Sequence, residues 1–190
     1  YLCIMEIIIR NAVSSDSEFI AWTVMTAIGA ELDGLDRALP MCQAEDTLYS
    51  WKNARIAVTE DGTVAGCLIS YPGEIYERLR DRTWKRFLGN AEEKIARQKF
   101  ESETFPGEYY LDSLAVKPEC RRHGIARLLM RDGIAKGCAL GFRRITLIAK
   151  SASPALLAYY GGMGFVAENR MTFFGEDYTR MAWKDAKGGQ

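Results

Sequence analysis

Residues 109 to 127 read YYLDSLAVKPECRRHGIAR, and no other stretch of the chain constrains the fold as tightly. The alternating, β-prone run YYLDSLAV predicts a strand that ends at a lysine and a proline. Ile125 to Leu140, rich in Leu, Ala, Met and Lys, predicts a helix. Two arginines, a histidine and Gly124 are all that lie between the turn and that helix. A glycine at the mouth of a helix lets backbone N–H groups converge on one point, where the helix dipole already favours an anion. An ordinary tight turn also wants a glycine, so the remainder of the chain has to discriminate.

CIMEIIIR (3–10) predicts a first strand, and Ser15 with Glu18 fits a capping box opening a helix that runs to Gly29. A polar interval with Pro40 leads to a second helix expected over 44–51. Residues 54–71 predict a hairpin across Asp61-Gly62, a strong turn signal. The interval 72–107 is too long for a plain loop. Within it Tyr76, Leu79, Thr83 and Phe87 recur at helical spacing, predicting one or two amphipathic helices that either cover a sheet edge or form a lid over a substrate pocket. FRRITLIA (142–149) predicts a strand, and Ser153-Pro154 a helix start, with serine as N-cap and proline at the first helical position. Two closing strands follow, GFVAENRMTFF and YTRMAW, and then a tail over 185–190. The order predicts a single α/β domain over 1–190, a mixed sheet with helices on both faces.

Lys+Arg and Asp+Glu are each 25, a balance that argues against nucleic acid or an anionic membrane as the main partner. Five cysteines without paired spacing suit a reducing compartment, so a cytoplasmic protein is expected. With one histidine, His123, no zinc ligand set forms, and no metal is expected. The start shows neither a signal-peptide pattern nor a span long enough for a membrane.

The strand ending Leu114-Ala115-Val116, the Arg121-x-x-Gly124-x-Ala126 loop and Tyr160-x-x-x-Gly164-Phe165 together resemble the GNAT superfamily of acyl-CoA-dependent N-acetyltransferases. The resemblance implies a central mixed, mostly antiparallel sheet with helices on both faces. It also implies acetyl-CoA as cosubstrate, an amine acceptor on a small molecule or a protein, and leaves a homodimer open. By the same resemblance the loop from Arg121 through Arg122, His123, Gly124, Ile125 and Ala126 to Arg127 binds the pyrophosphate. The backbone of Leu114, Ala115 and Val116 pairs with the pantetheine arm, and Tyr160 meets the departing sulfur. The chain departs from the family pattern in carrying Ser153 where Asn is frequent and Leu156 where Ala is frequent, so Ser153 is read as a helix cap.

Acyl transfer to an amine needs the nitrogen neutral. An alkylamine of pKa ~10.4 lies about 3.4 units from neutrality at pH 7, roughly 4.6 kcal/mol. A base or an ordered water is therefore wanted. Asp112, on the strand itself, is the favoured candidate, with Glu108 the other carboxylate nearby. His123 lies inside the loop, too far along the chain for that task. A non-catalytic module that holds CoA as a sensor or scaffold is the alternative reading. A dinucleotide-binding domain is excluded, because G-x-G-x-x-G is absent and the glycine loop follows an antiparallel hairpin.

Overall fold

Seven strands form one sheet in the order β1-β2-β3-β4-β5-β7-β6 in the computed structural model, which describes residues 6–30, 34–88, 101–173 and 175–184. The strands are β1 (Ile7–Asn11), β2 (Ala54–Thr59), β3 (Val64–Pro72), β4 (Tyr109–Val116), β5 (Arg144–Lys150), β6 (Phe165–Phe173) and β7 (Glu176–Lys184). Helices α1 (Ser17–Ile28), α2 (Leu35–Gln43) and α3 (Tyr76–Leu88) precede β4, whereas α4 (Ile125–Ala139) and α5 (Pro154–Gly161) follow it. All neighbours are antiparallel except β4 and β5. The expected element order and the mixed, mostly antiparallel sheet are both present.

Each face of the sheet has its own core. On one, Ile20, Val24, Met41, Tyr76 and Leu79 pack with Ile56, Ile69, Tyr71 and Tyr110. On the other, Ile125, Leu129 and Met130 of α4 pack with Leu68, Tyr109, Leu111 and Ile145. Helix α4 lies so close to the sheet that a Cβ on Gly137 would come within 2.5 Å of Ile145 and 2.8 Å of the Tyr109 ring. The glycine therefore sets the helix–sheet distance.

Three local expectations are corrected. The second helix is Leu35–Gln43, not 44–51. Ala38, Met41 and Cys42 are buried at i, i+3 and i+4 against the α1 core, and Pro40 is exposed, so the amide it lacks costs one solvent-side hydrogen bond. Residues 44–50 are a loop instead, held by Leu48 N donating to Thr83 Oγ1 (2.8 Å) and by Asn53 Nδ2 donating to the Leu48 carbonyl (2.9 Å). At α1 the Ser15–Glu18 box does not form, because a single 3-10 turn over Ser14–Asp16 comes first. The capping carboxylate is Asp16, which accepts from Val13 N at 2.7 Å and pairs with Arg10 at 2.7 Å. Ser153 is the N-cap of α5 by backbone alone, since its side chain makes no capping hydrogen bond.

Within the interval before β4, α3 buries Tyr76, Leu79 and Thr83, the face that their spacing predicts. Residues 89–100 of that interval, and the tail over 185–190, lie outside the described residues. Among the described residues no helix is long and apolar enough to cross a membrane.

Glu108, immediately before β4, is buried and joins three strands. It accepts from Arg144 Nε of β5 at 2.9 Å, from Phe105 N at 3.1 Å and from Thr104 Oγ1 at 3.1 Å, and it pairs with Arg180 of β7. Burial alone would raise its carboxyl, but the bonds from Arg144 and Arg180 outweigh burial and hold it below the usual carboxylate range. Glu108 is thus an ion-paired structural group, not a base free to take a proton. Glu108→Gln leaves the buried Arg180 short of its close countercharge, while Arg144 keeps Glu168. We expect a loss of about 3–5 kcal/mol in denaturant unfolding. A loss below 1 kcal/mol would show that the cluster contributes little.

Candidate active site

The parallel pair β4–β5 closes over two positions only, Tyr109 with Ile145 and Tyr110 with Thr146. Beyond them the two strands part, and β4 from Leu111 onward is paired to β3 alone. A strand edge carrying free N–H and C=O groups is a template for another extended chain. Leu114 and Ala115 lie on this open edge, whereas the Val116 carbonyl accepts from Arg121 Nε at 3.1 Å, tying the following loop to the strand end.

A β-bulge shapes the same strand. Ile69 pairs with Ser113 and Ser70 with Leu111, which leaves Asp112 as the extra residue. The bulge also shifts the side-chain phase. Tyr109 and Leu111 face α4 before it, and Leu114 and Val116 face α4 after it. Asp112 lies on the opposite side with Tyr110 and Ser113, where the Tyr71 hydroxyl and Ser113 Oγ (2.7 Å) donate to it.

At the far end of the open edge is the Arg121–Arg127 loop. Arg122 (φ 67°) and Gly124 (φ 77°) both adopt left-handed backbone, and the first α4 hydrogen bond runs from Leu128 N to the Gly124 carbonyl at 3.0 Å. The amides of Ile125, Ala126 and Arg127 precede that ladder. A Cβ built on Gly124 would meet nothing within 4 Å, so the mouth of α4 is open space. Arg121, Arg122, His123 and Arg127 are all exposed there. The His123 ring approaches the Cys120 carbonyl at 3.4 Å. The loop fits a pyrophosphate: donors converge, bulk is absent and the charge is positive.

Where β4 and β5 have just parted, a cavity of about 90 Å³ is lined by Asp112 and Ser113 of β4, Ile148 of β5, Ala27 and Ile28 of α1, and Glu103. Tyr49, Tyr110, Trp84, Phe173 and Tyr178 complete its wall. Trp84 brings α3 to this cavity, so the helix expected either at a sheet edge or over a pocket does contribute to a pocket wall. Glu103, a residue that sequence reasoning did not single out, accepts from Tyr110 at 2.7 Å and from Tyr76 at 3.0 Å. Burial, and then the Asp112 charge, push Glu103 up to about 8, while burial pushes Asp112 up to about 6. Two acids in one apolar site cannot both ionise cheaply, so near neutrality the pair carries about one charge. Among the described residues no cluster of His, Cys, Asp and Glu is arranged to hold a metal ion.

Tyr160 stands on the other face, packed in the α4 core with its ring edge-on to Phe165 at 6.1 Å. Burial pushes its phenol up to about 12, so it keeps its proton at any physiological pH. Tyr159 is exposed and feels the charge of Arg127, which places the start of α4 beside α5. Asp112 and Tyr160 therefore lie on opposite faces of the sheet, and the gap between β4 and β5 is what separates them.

The raised Glu103 carboxyl has a consequence for stability. A group whose folded pKa is raised contributes stability below its unfolded value of about 4.5 and loses it as pH rises through the folded value. The wild-type melting temperature should therefore fall as pH rises from about 6 through 8, and Glu103→Gln should flatten that fall. Equal slopes for both proteins would show that Glu103 does not carry the buried proton.

The family comparison agrees with this geometry. Residues 31–165 match the acetyltransferase (GNAT) family. Among curated proteins none matches. A solved N-acetyltransferase from Staphylococcus aureus Mu50 superposes with a TM-score of 0.77 at 23% identity, over 92% of this chain and 99% of that one. Another solved acetyltransferase gives a TM-score of 0.74 at 23% identity, over 93% and 98%. The ribosomal-protein-S18-alanine N-acetyltransferase of Escherichia coli gives 0.60 at 17%, over 97% of each chain. At such identities the likeness is one of fold. The match over 31–165, on a sheet that parts between β4 and β5, makes this chain a member of the acetyltransferase (GNAT) family.

Proposed function

We propose that the protein transfers an acetyl group from acetyl-CoA to a primary amine, on a small molecule or exposed on a protein, by direct attack of the nitrogen on the thioester. One observation carries the reading. An unpaired strand edge runs from a glycine-mouthed helix to a cavity that holds a buried pair of acids. Acetyl-CoA supplies the activated acyl group and a thiolate leaving group. The remaining work falls to residues of the chain.

The amides of Ile125 to Arg127 hold the pyrophosphate, and the edge at Leu114 and Ala115 orients the arm. The helix dipole itself contributes about 0.3–1 kcal/mol, so the converging N–H groups do most of the holding. Asp112 takes a proton from the attacking nitrogen. Its raised carboxyl is a better acceptor than a free aspartate and is still mostly ionised at pH 7. Tyr160 donates a hydrogen bond to the departing sulfur. A phenol held near 12 cannot hand its proton fully to a thiolate of reference pKa ~8.5 at equilibrium, so its contribution is the hydrogen bond in the transition state.

CoA release from acetyl-CoA with an amine panel tests the activity, and CoA binding without release from any amine would leave only a binding module. Tyr160→Phe should lower kcat about 10²- to 10³-fold with acetyl-CoA affinity intact, and Tyr159→Phe should be mild. A Tyr160→Phe enzyme that keeps more than about half of kcat, with chemistry rate-limiting, overturns its role. Gly124→Glu fills the open mouth of α4 with a carboxylate and should weaken acetyl-CoA binding at least tenfold while circular dichroism stays native-like. Unchanged affinity in that folded variant removes the phosphate-loop assignment.

A further inference from the structure

We infer that the acceptor is the ammonium end of an unbranched aliphatic chain, with no carboxylate beside it, and that Glu103 together with Asp112 receives it in the cavity between β4 and β5. The inference rests on the transferase reading above and narrows its substrate class.

Size is the first constraint. Pockets that enclose whole ligands occupy about 300–1,000 Å³. This cavity offers about 90 Å³, room for the tip of an acceptor and not for its body. Its wall is apolar and aromatic, with Ile28, Ile148, Trp84 and Phe173 flanking the acids, which suits methylene groups leading to a cation.

Charge is the second constraint. Among the described residues that line the cavity, two carry carboxyl groups and none is lysine, arginine or histidine. An α-amino acid would bring its carboxylate against Asp112 with no cation to meet it. Among the described residues the groups facing Glu103 are Asp112 and Tyr110 from β4, Tyr76 from α3, Tyr49 from the loop before β2, Tyr71 from β3 and Tyr178 from β7. The nearest guanidinium, Arg180, donates to the Glu103 backbone carbonyl at 3.0 Å and spends its charge on Glu108. Among the described residues the acids therefore stand without a cation of the protein's own, and an arriving ammonium supplies it.

Proton balance gives the pair its task. With the ammonium docked, both carboxyl groups can ionise, so binding expels the proton that Glu103 holds. One carboxylate then takes a proton from the ammonium, and the neutral nitrogen forms the C–N bond as the C–S bond breaks. The nitrogen loses a second proton in that step. Of the two protons lost by nitrogen, one ends on the CoA sulfur and the other in solvent. An N-terminal α-amine, with a reference pKa near 7.7–8.0, has far less need of such a proton sink than an alkylamine at ~10.4.

The test compares 1,4-diaminobutane, L-alaninamide and L-alanine as acceptors with wild-type protein and saturating acetyl-CoA at pH 7.5. We expect kcat/KM for diaminobutane to exceed that for either alanine derivative at least tenfold. Glu103→Gln should raise the KM for diaminobutane at least tenfold and leave the acetyl-CoA dissociation constant unchanged. Calorimetry of diaminobutane binding to wild type, in buffers of different ionisation enthalpy, should show a proton released. Preference for alaninamide, or no proton release on diamine binding, overturns the acceptor assignment and leaves the transferase standing. Acetyl-CoA binding with no CoA release from any acceptor overturns the transferase reading and this one with it.

Discussion

The closed end of the gap between β4 and β5 depends on Glu108. Two parallel strands that share only two paired positions have little reason to stay together. Glu108 supplies one, because its carboxylate ties the start of β4 to Arg144 at the start of β5 and to Arg180 on β7. With that end fixed, twist and the α4 packing can open the other end without loosening the sheet. The same cluster draws Glu103 into place, since Arg180 also holds the Glu103 carbonyl. The acid pair is thus supported by an ion-paired group that takes no part in the chemistry.

In the proposed transfer Asp112 and Tyr160 would serve as proton acceptor and hydrogen-bond donor from opposite faces of one sheet, which suits a reaction in which the nucleophile and the leaving group separate along one line. A continuous ladder would keep the two faces apart. In the proposed transfer the gap would let them act on one carbon, with Asp112 on the side from which the acceptor would enter. The bond from Arg121 to the Val116 carbonyl fixes the loop relative to the edge, so the two parts proposed to grip the cosubstrate are held together.

Much of this was legible in the sequence, because it rests on local signals. The alternation of YYLDSLAV, the glycine before α4 and Ser153-Pro154 before α5 all mark their elements to within a residue or two. Failures arise where distant contacts decide. Pro40 argued against the helix that contains it, yet burial of Met41 and Cys42 against α1 outweighed one missing hydrogen bond on the solvent side. Asp112 could be found because it sits on the strand itself. Glu103 could not, because its carboxyl is raised by burial and by the Asp112 charge, against hydrogen bonds from Tyr110 of β4 and Tyr76 of α3, and these groups meet only in three dimensions. Its one local sign is position: a carboxylate five residues before a second one and nine before Asp112, in the segment that feeds the cofactor strand.

The bulge at Asp112 also bears on how this strand can change over generations. Because Asp112 is the residue that β3 leaves unpaired, loss of its codon would leave Leu111 opposite Ser70 and Ser113 opposite Ile69, with Leu114 and Val116 still facing α4. The carboxylate alone would go, and the ladder with β3 would become regular. The strand therefore carries this acid as a residue its pairing can do without, and the proposed proton acceptor could be gained or lost in a single step while the helix-facing core stays in register.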